Sequence, residues 1–146
     1  MNLLKNAQID QVLGYFAAGT TKRTSTILDM SSYEGVVFVA GLGTTIENGT
    51  VDVFVEQNTI NSTSGMARLA GQTAHTITAA NAALTQAAIV VDVVKPKERF
   101  LQCNITPAVS NAVILGIVAI RYRGKVKPAL NSSLLKSTLL LSPAEA

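Results

Sequence analysis

The side chains most often used for proton transfer, thiol chemistry and transition-metal binding are nearly absent from this sequence, which has one histidine, His75, and one cysteine, Cys103. His75 sits in Thr73-Ala74-His75-Thr76-Ile77, with no carboxylate or cysteine at metal-ligand spacing, so a general-base role would need a partner supplied by the fold. A single cysteine forms neither an intrachain disulfide nor a cysteine zinc site. Cys103 alternates with Leu101 and Ile105, which predicts a small buried hydrophobe and not a nucleophile. Asp52 and Glu56 share one face of an extended segment, but four residues separate them by about 13 Å, beyond the roughly 5–9.5 Å used by paired glycosidase carboxylates. Gly41-Leu42-Gly43 follows an apolar run without the third glycine, helix and acidic partner of a dinucleotide loop, and reads as punctuation at a strand end. No catalytic, cofactor-binding or metal-binding residue is expected, and the expectation is that the protein is not an enzyme.

The feature with the most specific electrostatics is Arg121-Tyr122-Arg123-Gly124-Lys125-Val126-Lys127. On an extended chain every second residue faces one way, which predicts a basic ridge of Arg121, Arg123, Lys125 and Lys127. Four cations could neutralise phosphates. The ridge lacks the interleaved aromatics of a single-strand platform, so nucleic acid is the lesser expectation; protection of a sheet edge, or contact with an acidic protein surface, is the greater. From Lys95 onward eight cations face two carboxylates, net +6, whereas four face seven before it, net −3. That asymmetry either steers an acidic partner or vanishes as strands of both halves intermix.

The elements that must position these groups are strands. Five stand out: residues 36–40, 51–56, 88–94, 99–106 and 113–123, which combine period-two alternation with β-branched runs. The runs 36–40 and 88–94 read as buried on both sides, and Pro96 stops the latter. Weaker candidates lie at 12–16, 24–30 and 73–78, and Asn48-Gly49 reads as a hairpin turn. Residues 79–86 hold at most one helical turn. Short strands with regular turn signals and no helical period predict an all-β fold, a jelly-roll-like β-sandwich of about eight strands with extended N- and C-terminal arms. The expected division is an N-terminal arm over residues 1–23 that could include a first strand, a sandwich over 24–127, and a C-terminal arm over 128–146. Leu3 and Leu4 of the first arm, and Leu134, Leu135, Leu139 and Leu140 of the second, are too apolar for solvated termini; they are expected to be covered by their own domain, a neighbouring subunit or a partner.

Composition agrees with one folded domain: 146 residues, 48% hydrophobic and 14% charged, with aromatics at only 5%. No apolar run approaches the roughly 20 residues of a membrane helix, so no membrane association is expected. The N-terminus turns polar at Lys5 before building a signal-peptide core, so synthesis inside the cell is expected.

Three stretches carry a family resemblance. They are Asp29-Met30-Ser31-Ser32-Tyr33-Glu34-Gly35-Val36-Val37-Phe38-Val39-Ala40, then Val91-Asp92-Val93-Val94-Lys95-Pro96-Lys97-Glu98-Arg99-Phe100-Leu101, then Asn111-Ala112-Val113-Ile114-Leu115-Gly116-Ile117-Val118-Ala119-Ile120-Arg121-Tyr122. In this order they resemble small proteins encoded among the head genes of tailed bacteriophages, similar to capsid cement or decoration proteins of the jelly-roll type. The similarity runs from about Thr24 to Lys127 and rests on structural motifs: a turn before an apolar strand, and a proline–arginine start to the next. The tail after Pro128 is longer than in that group. The resemblance implies a virion protein made in the host cytoplasm, bound on the capsid surface to the major capsid protein as a homo-oligomer, dimer or trimer. The arms and the basic ridge would make its contacts. Other virion components, such as a tail, head–tail joining or small coat protein, are the alternative, followed by a cytosolic ligand-binding sandwich.

Overall fold

Alternating apolar positions on the strands become two inward faces, and nearly all of the buried hydrophobic side chains lie between them. The structure, a computed structural model, describes residues 2–125 and 134–138. In chain order the elements are α1 (Leu3–Asn6), β1 (Ala7–Leu13), β2 (Phe16–Gly19), β3 (Arg23–Thr24), β4 (Leu28–Asp29), β5 (Gly35–Leu42), β6 (Thr50–Asn58), β7 (Ala67–Arg68), β8 (His75–Thr76), α2 (Ala79–Ala82), β9 (Ala87–Val94), β10 (Phe100–Ala108) and β11 (Ala112–Tyr122). The first sheet runs β1-β11-β5-β9, with β2 continuing β1 along β11; the second runs β3-β10-β6-β7, with β4 beside β10 and β8 beside β6. All pairings are antiparallel. Counting β1 with β2, β3 with β4, and β7 with β8 as interrupted single strands leaves eight, in spatial orders 1-8-3-6 and 2-7-4-5. That arrangement is a jelly roll.

Val36, Phe38, Ala40 and Leu42 of β5 and Ile117 and Ala119 of β11 meet Val51, Val53 and Val55 of β6 and Leu101, Cys103 and Ile105 of β10 across the core. Between β3 and β4 the chain ties the layers together: Ser25 N donates to Cys103 O at 2.8 Å, while Thr26 N donates to Val12 O of the other sheet at 3.0 Å.

Three expectations change. From Ala7 onward the supposed N-terminal arm is sandwich, because β1 pairs with β11 from Ala7 to Leu13 and Val12 faces the core. Asn48-Gly49 is not a hairpin between paired strands; β5 and β6 lie in different sheets, so the turn, with φ +66° at Asn48, carries the chain over the end of the sandwich. The runs 36–40 and 88–94 are covered on one side only. Val37 and Val39 are half-buried on the outer face of the first sheet, and beside them Val90 and Val94 are each 57% exposed.

The outer faces of the two sheets differ in chemistry. On the second, Asn104 is fully buried: its Oδ1 accepts from Thr24 Oγ1 at 2.8 Å and its Nδ2 donates to Glu56 Oε2 at 2.8 Å. Arg68 grips Asp52 with two hydrogen bonds of 2.7 and 2.9 Å and stacks on Phe54. Asp52 and Glu56 therefore do share a face, held in ion pairs with Arg68 and Lys22. The first sheet shows Ile9, Val37, Val39, Val118 and Ile120 across its middle, with Leu115 45% exposed.

Candidate contact surfaces

The end of β11 delivers the expected cations to one end of the sandwich, but not as a ridge. Arg121 occupies an inward register position beside Val36, and its side chain is only 13% exposed. Its Nη2 donates to Asp10 Oδ2 at 2.7 Å, its Nη1 donates to the carbonyl of Asp29 at 2.9 Å, and its guanidinium lies over the Tyr33 ring at 4.6 Å. The strand then ends, and Arg123 adopts φ +52°, which breaks the two-residue alternation the ridge required. Arg123 reaches Glu34 at 3.1 Å, and Lys95 approaches the same carboxylate at 3.9 Å. Lys125 is exposed; its backbone N donates to Ser32 O at 2.9 Å, and its ammonium makes no ion pair among the described residues.

The charge asymmetry along the chain is consumed in the same place. Asp10, Asp29 and Glu34 from the acidic half meet Arg121, Arg99 and Arg123 from the basic half. The intermixing of strands thus neutralises part of the charge that could have steered an acidic partner.

Asp29 and Arg99 form the most complete of these pairs, with Arg99 Nε and Nη2 donating to the two carboxylate oxygens at 2.9 and 2.7 Å. The Arg99 hydrogen bonds hold the Asp29 carboxyl well below the usual carboxylate range against the opposing effect of burial, and the Ser31 N–H adds a smaller lowering contribution. A depressed pKa contributes stability that is present above about pH 4, the ordinary value, and is lost as the pH falls toward the folded value. Stability against urea is therefore expected to fall between about pH 4 and pH 2, and Arg99→Met should flatten that dependence. Both side chains are about half exposed, so the change should be modest.

The other expected chemistry is dispersed. Cys103 is fully buried, and burial pushes its thiol up to about 12, which removes the thiolate a nucleophile needs. His75 is exposed on β8, with Nε2 2.9 Å from Oδ1 of Asn81, which also closes the capping box at Thr78. It borders a cavity of about 490 Å³ at the opposite end of the sandwich, where Leu42, Ile77, Leu84 and Ile89 provide a mainly apolar lining. No group of three or more His, Cys, Asp or Glu among the described residues could hold a metal ion, and no helix among them is long and apolar enough to cross a membrane. Gly41 and Gly43 are spacers: a Cβ at Gly43 would stand 2.9 Å from Val113 Cγ1, and one at Gly41 3.3 Å from Leu115 Cβ.

Of the apolar contact residues expected at the termini, Leu3 is 42% exposed on α1 and Leu4 is half-buried. Leu134 is half-buried, and Leu135 is fully exposed. Lys127, Leu139 and Leu140 lie outside the described residues, as does most of the segment after Pro128. What the residue-by-residue reading missed is the outer face of the first sheet. Its signal was present in the sequence, because strands apolar on both sides need a cover on both sides.

No family model and no curated protein matches the sequence. Among solved structures, dimeric latent PorU from Porphyromonas gingivalis superposes with a TM-score of 0.47 at 12% identity, covering 85% of this chain and 13% of that one. Infectious bursal disease virus, Gt strain, gives 0.49 at 10% identity, with 89% and 36% covered. The Gx strain gives 0.44 at 11%, with 90% and 34% covered. This chain spans well under two thirds of each of those chains.

Proposed function

We propose that this is a structural virion protein of the cement or decoration type, made in the host cytoplasm and bound to the surface of a tailed-phage head across joints between major capsid protein subunits. The observation that carries the reading is the outer face of the first sheet, where Val37, Val39, Leu115, Val118 and Ile120 form an apolar surface, with Asp92 opposite Val37 held by the Tyr122 hydroxyl. An antiparallel sheet with a solvated outer face ordinarily reads polar on that side, as the second sheet does here. A protein whose task is to seal a joint needs such a face and a rigid body behind it, and needs no reacting group. The family resemblance points the same way. Nucleic acid is a poor fit, because Arg121 and Arg123 already have carboxylate partners.

Heads assembled without this protein should bind the purified chain on co-sedimentation, and Leu115→Lys should weaken that binding at least tenfold. Tenfold corresponds to about 1.4 kcal/mol; Leu115 is 45% exposed, so its burial contributes about half of the roughly 1.5–3 kcal/mol of a fully buried leucine, and the cost of desolvating the lysine ammonium in the joint adds the rest. No co-sedimentation at tens of micromolar would remove the reading. Purified protein that closes into particles alone would replace it with a coat protein.

A further inference from the structure

Sheet edges invite further strands, and among the described residues every edge but one is guarded. In the second sheet the strands outside β10 and β6 are two-residue pieces, too short to template another chain. Where β6 would otherwise lie open, the carboxamide of Gln72 stands in for a strand: Val55 N donates to Gln72 Oε1 at 2.7 Å, and Gln72 Nε2 donates back to Val55 O at 3.2 Å. At the far side of the first sheet, β1 carries a register shift between Gln11 and Leu13 and turns the charged Asp10 inward. Both are devices that blunt an edge.

The remaining edge is β9. It is eight residues long, pairs with β5 on one side, and has no backbone partner on the other among the described residues. In an antiparallel strand about four of those eight residues turn both N–H and C=O away from the neighbour. Residues 87–94 contain no Lys, Arg, Pro or Gly. The one charge, Asp92, is drawn back over the sheet: its Oδ1 accepts from the Tyr122 hydroxyl at 2.7 Å. The Tyr122 ring lies over Gly35, where a Cβ would collide with the ring's Cζ, so the glycine makes this withdrawal possible.

We propose that a second copy of this chain pairs with β9 antiparallel across a two-fold axis, joining the two first sheets into one. Centring the axis on Val90 sets Val90 against Val90 of the second copy on the outer face, and Ile89 against Val91 on the inner. Asp92 then faces Ala88, which keeps the two carboxylates apart. Roughly six to eight backbone hydrogen bonds would form. Because each copy offers a single open edge among its described residues, pairing uses it up and growth stops at a dimer. This deepens the homo-oligomer part of the capsid reading but stands on the sheet edge, so capsid binding can fail without touching it.

The test is native mass by light scattering over a wide concentration range for the wild type, Val90→Lys and Leu115→Lys. Both residues are exposed on the single chain, so both variants should unfold near the wild-type temperature. The expected result is a dimer for the wild type and Leu115→Lys and a monomer for Val90→Lys. Hydrogen exchange on the wild type gives a second reading, with amides of residues 87–94 gaining protection as concentration rises. The proposal is overturned by a wild type that stays monomeric up to about 100 μM, by a Val90→Lys dimer, by a trimer, or by exchange in β9 that ignores concentration. Loss of the dimer in Leu115→Lys alone would place the contact on the sheet face and overturn it as well. Leu115→Lys that dimerises yet no longer sediments with heads would separate the edge contact from the capsid contact.

Discussion

Asp10→Ala should lower the stability of the fold by about 3–5 kcal/mol, the range for removing one partner of a buried ion pair. Asp10 and Arg121 are 12% and 13% exposed and meet at 2.7 Å. The guanidinium already has little to spare, for its Nε is buried without an acceptor among the described residues, where the carbonyl of Asp29 is its other oxygen partner. Removing the carboxylate leaves a full charge at the mouth of the core, held by one carbonyl and the Tyr33 ring. It also strips Gln8 of an acceptor, since Gln8 Nε2 donates to Asp10 Oδ1 at 3.3 Å while its Oε1 accepts from the Tyr33 hydroxyl at 3.1 Å. With a urea slope of roughly 2 kcal/mol/M, the midpoint should move down by about 2 M. The pair need not be a net asset relative to apolar side chains. Asp10→Leu combined with Arg121→Met should recover most of the loss, because the desolvation of both charges is then avoided. A midpoint shift below about 0.5 M for Asp10→Ala would mean that water reaches the guanidinium and replaces the carboxylate.

The fate of Arg121 shows what a sequence can and cannot disclose about such a site. Alternation told correctly that a long strand starts near residue 113, which the structure gives as Ala112–Tyr122, and that Leu101, Cys103 and Ile105 share a buried face. It could not tell which side of β11 meets the core, since β11 is β-branched on both, and a cation two residues from a strand end reads as exposed by default. Only the pairing of Gln8 with Arg121 and of Asp10 with Ala119 brings the carboxylate to the guanidinium, over a separation of 111 residues. Long-range register also decided the fate of Asn48-Gly49. Its local chemistry favours a turn in either case, but whether the flanking strands pair or part depends on where β10 and β11 insert. Gln102 and Asn104 give a third instance: two amides alternating with apolar residues look like a solvated face, whereas both are buried on the outer side of β10. The apolar outer face of the first sheet is legible as composition, but a single sequence carries no sign of whether its cover comes from the same chain or another.

Gly116→Ala should be the most damaging methyl group that can be added to β11. The residue sits where the register against β5 shifts between Ile114 and Gly116, with φ +135°, a region that side-chain-bearing residues rarely enter. A glycine inside a strand marks such a bulge or a close approach of backbone, and here it marks both. A Cβ at this position would lie 2.6 Å from the carbonyl oxygen of Leu13 and 2.8 Å from Gln11 Nε2. The Gln11 amide, which donates to that carbonyl at 2.6 Å, can swing away; the carbonyl cannot, because it belongs to the backbone where β1 gives way to β2. The forced backbone conformation costs about 1–3 kcal/mol and the displaced strand about 1–3 kcal/mol more. Gly41, opposite Gly116 in the pairing, has an unexceptional φ and a nearest contact of 3.3 Å to a side chain, so Gly41→Ala should cost under about 1 kcal/mol. Urea midpoints for the two alanine variants therefore test whether the bulge, and not glycine content in general, lets one long strand serve as the shared partner of β1 and β2. Equal midpoints would show that β11 can straighten without disturbing β1, and that the break between β1 and β2 has another cause.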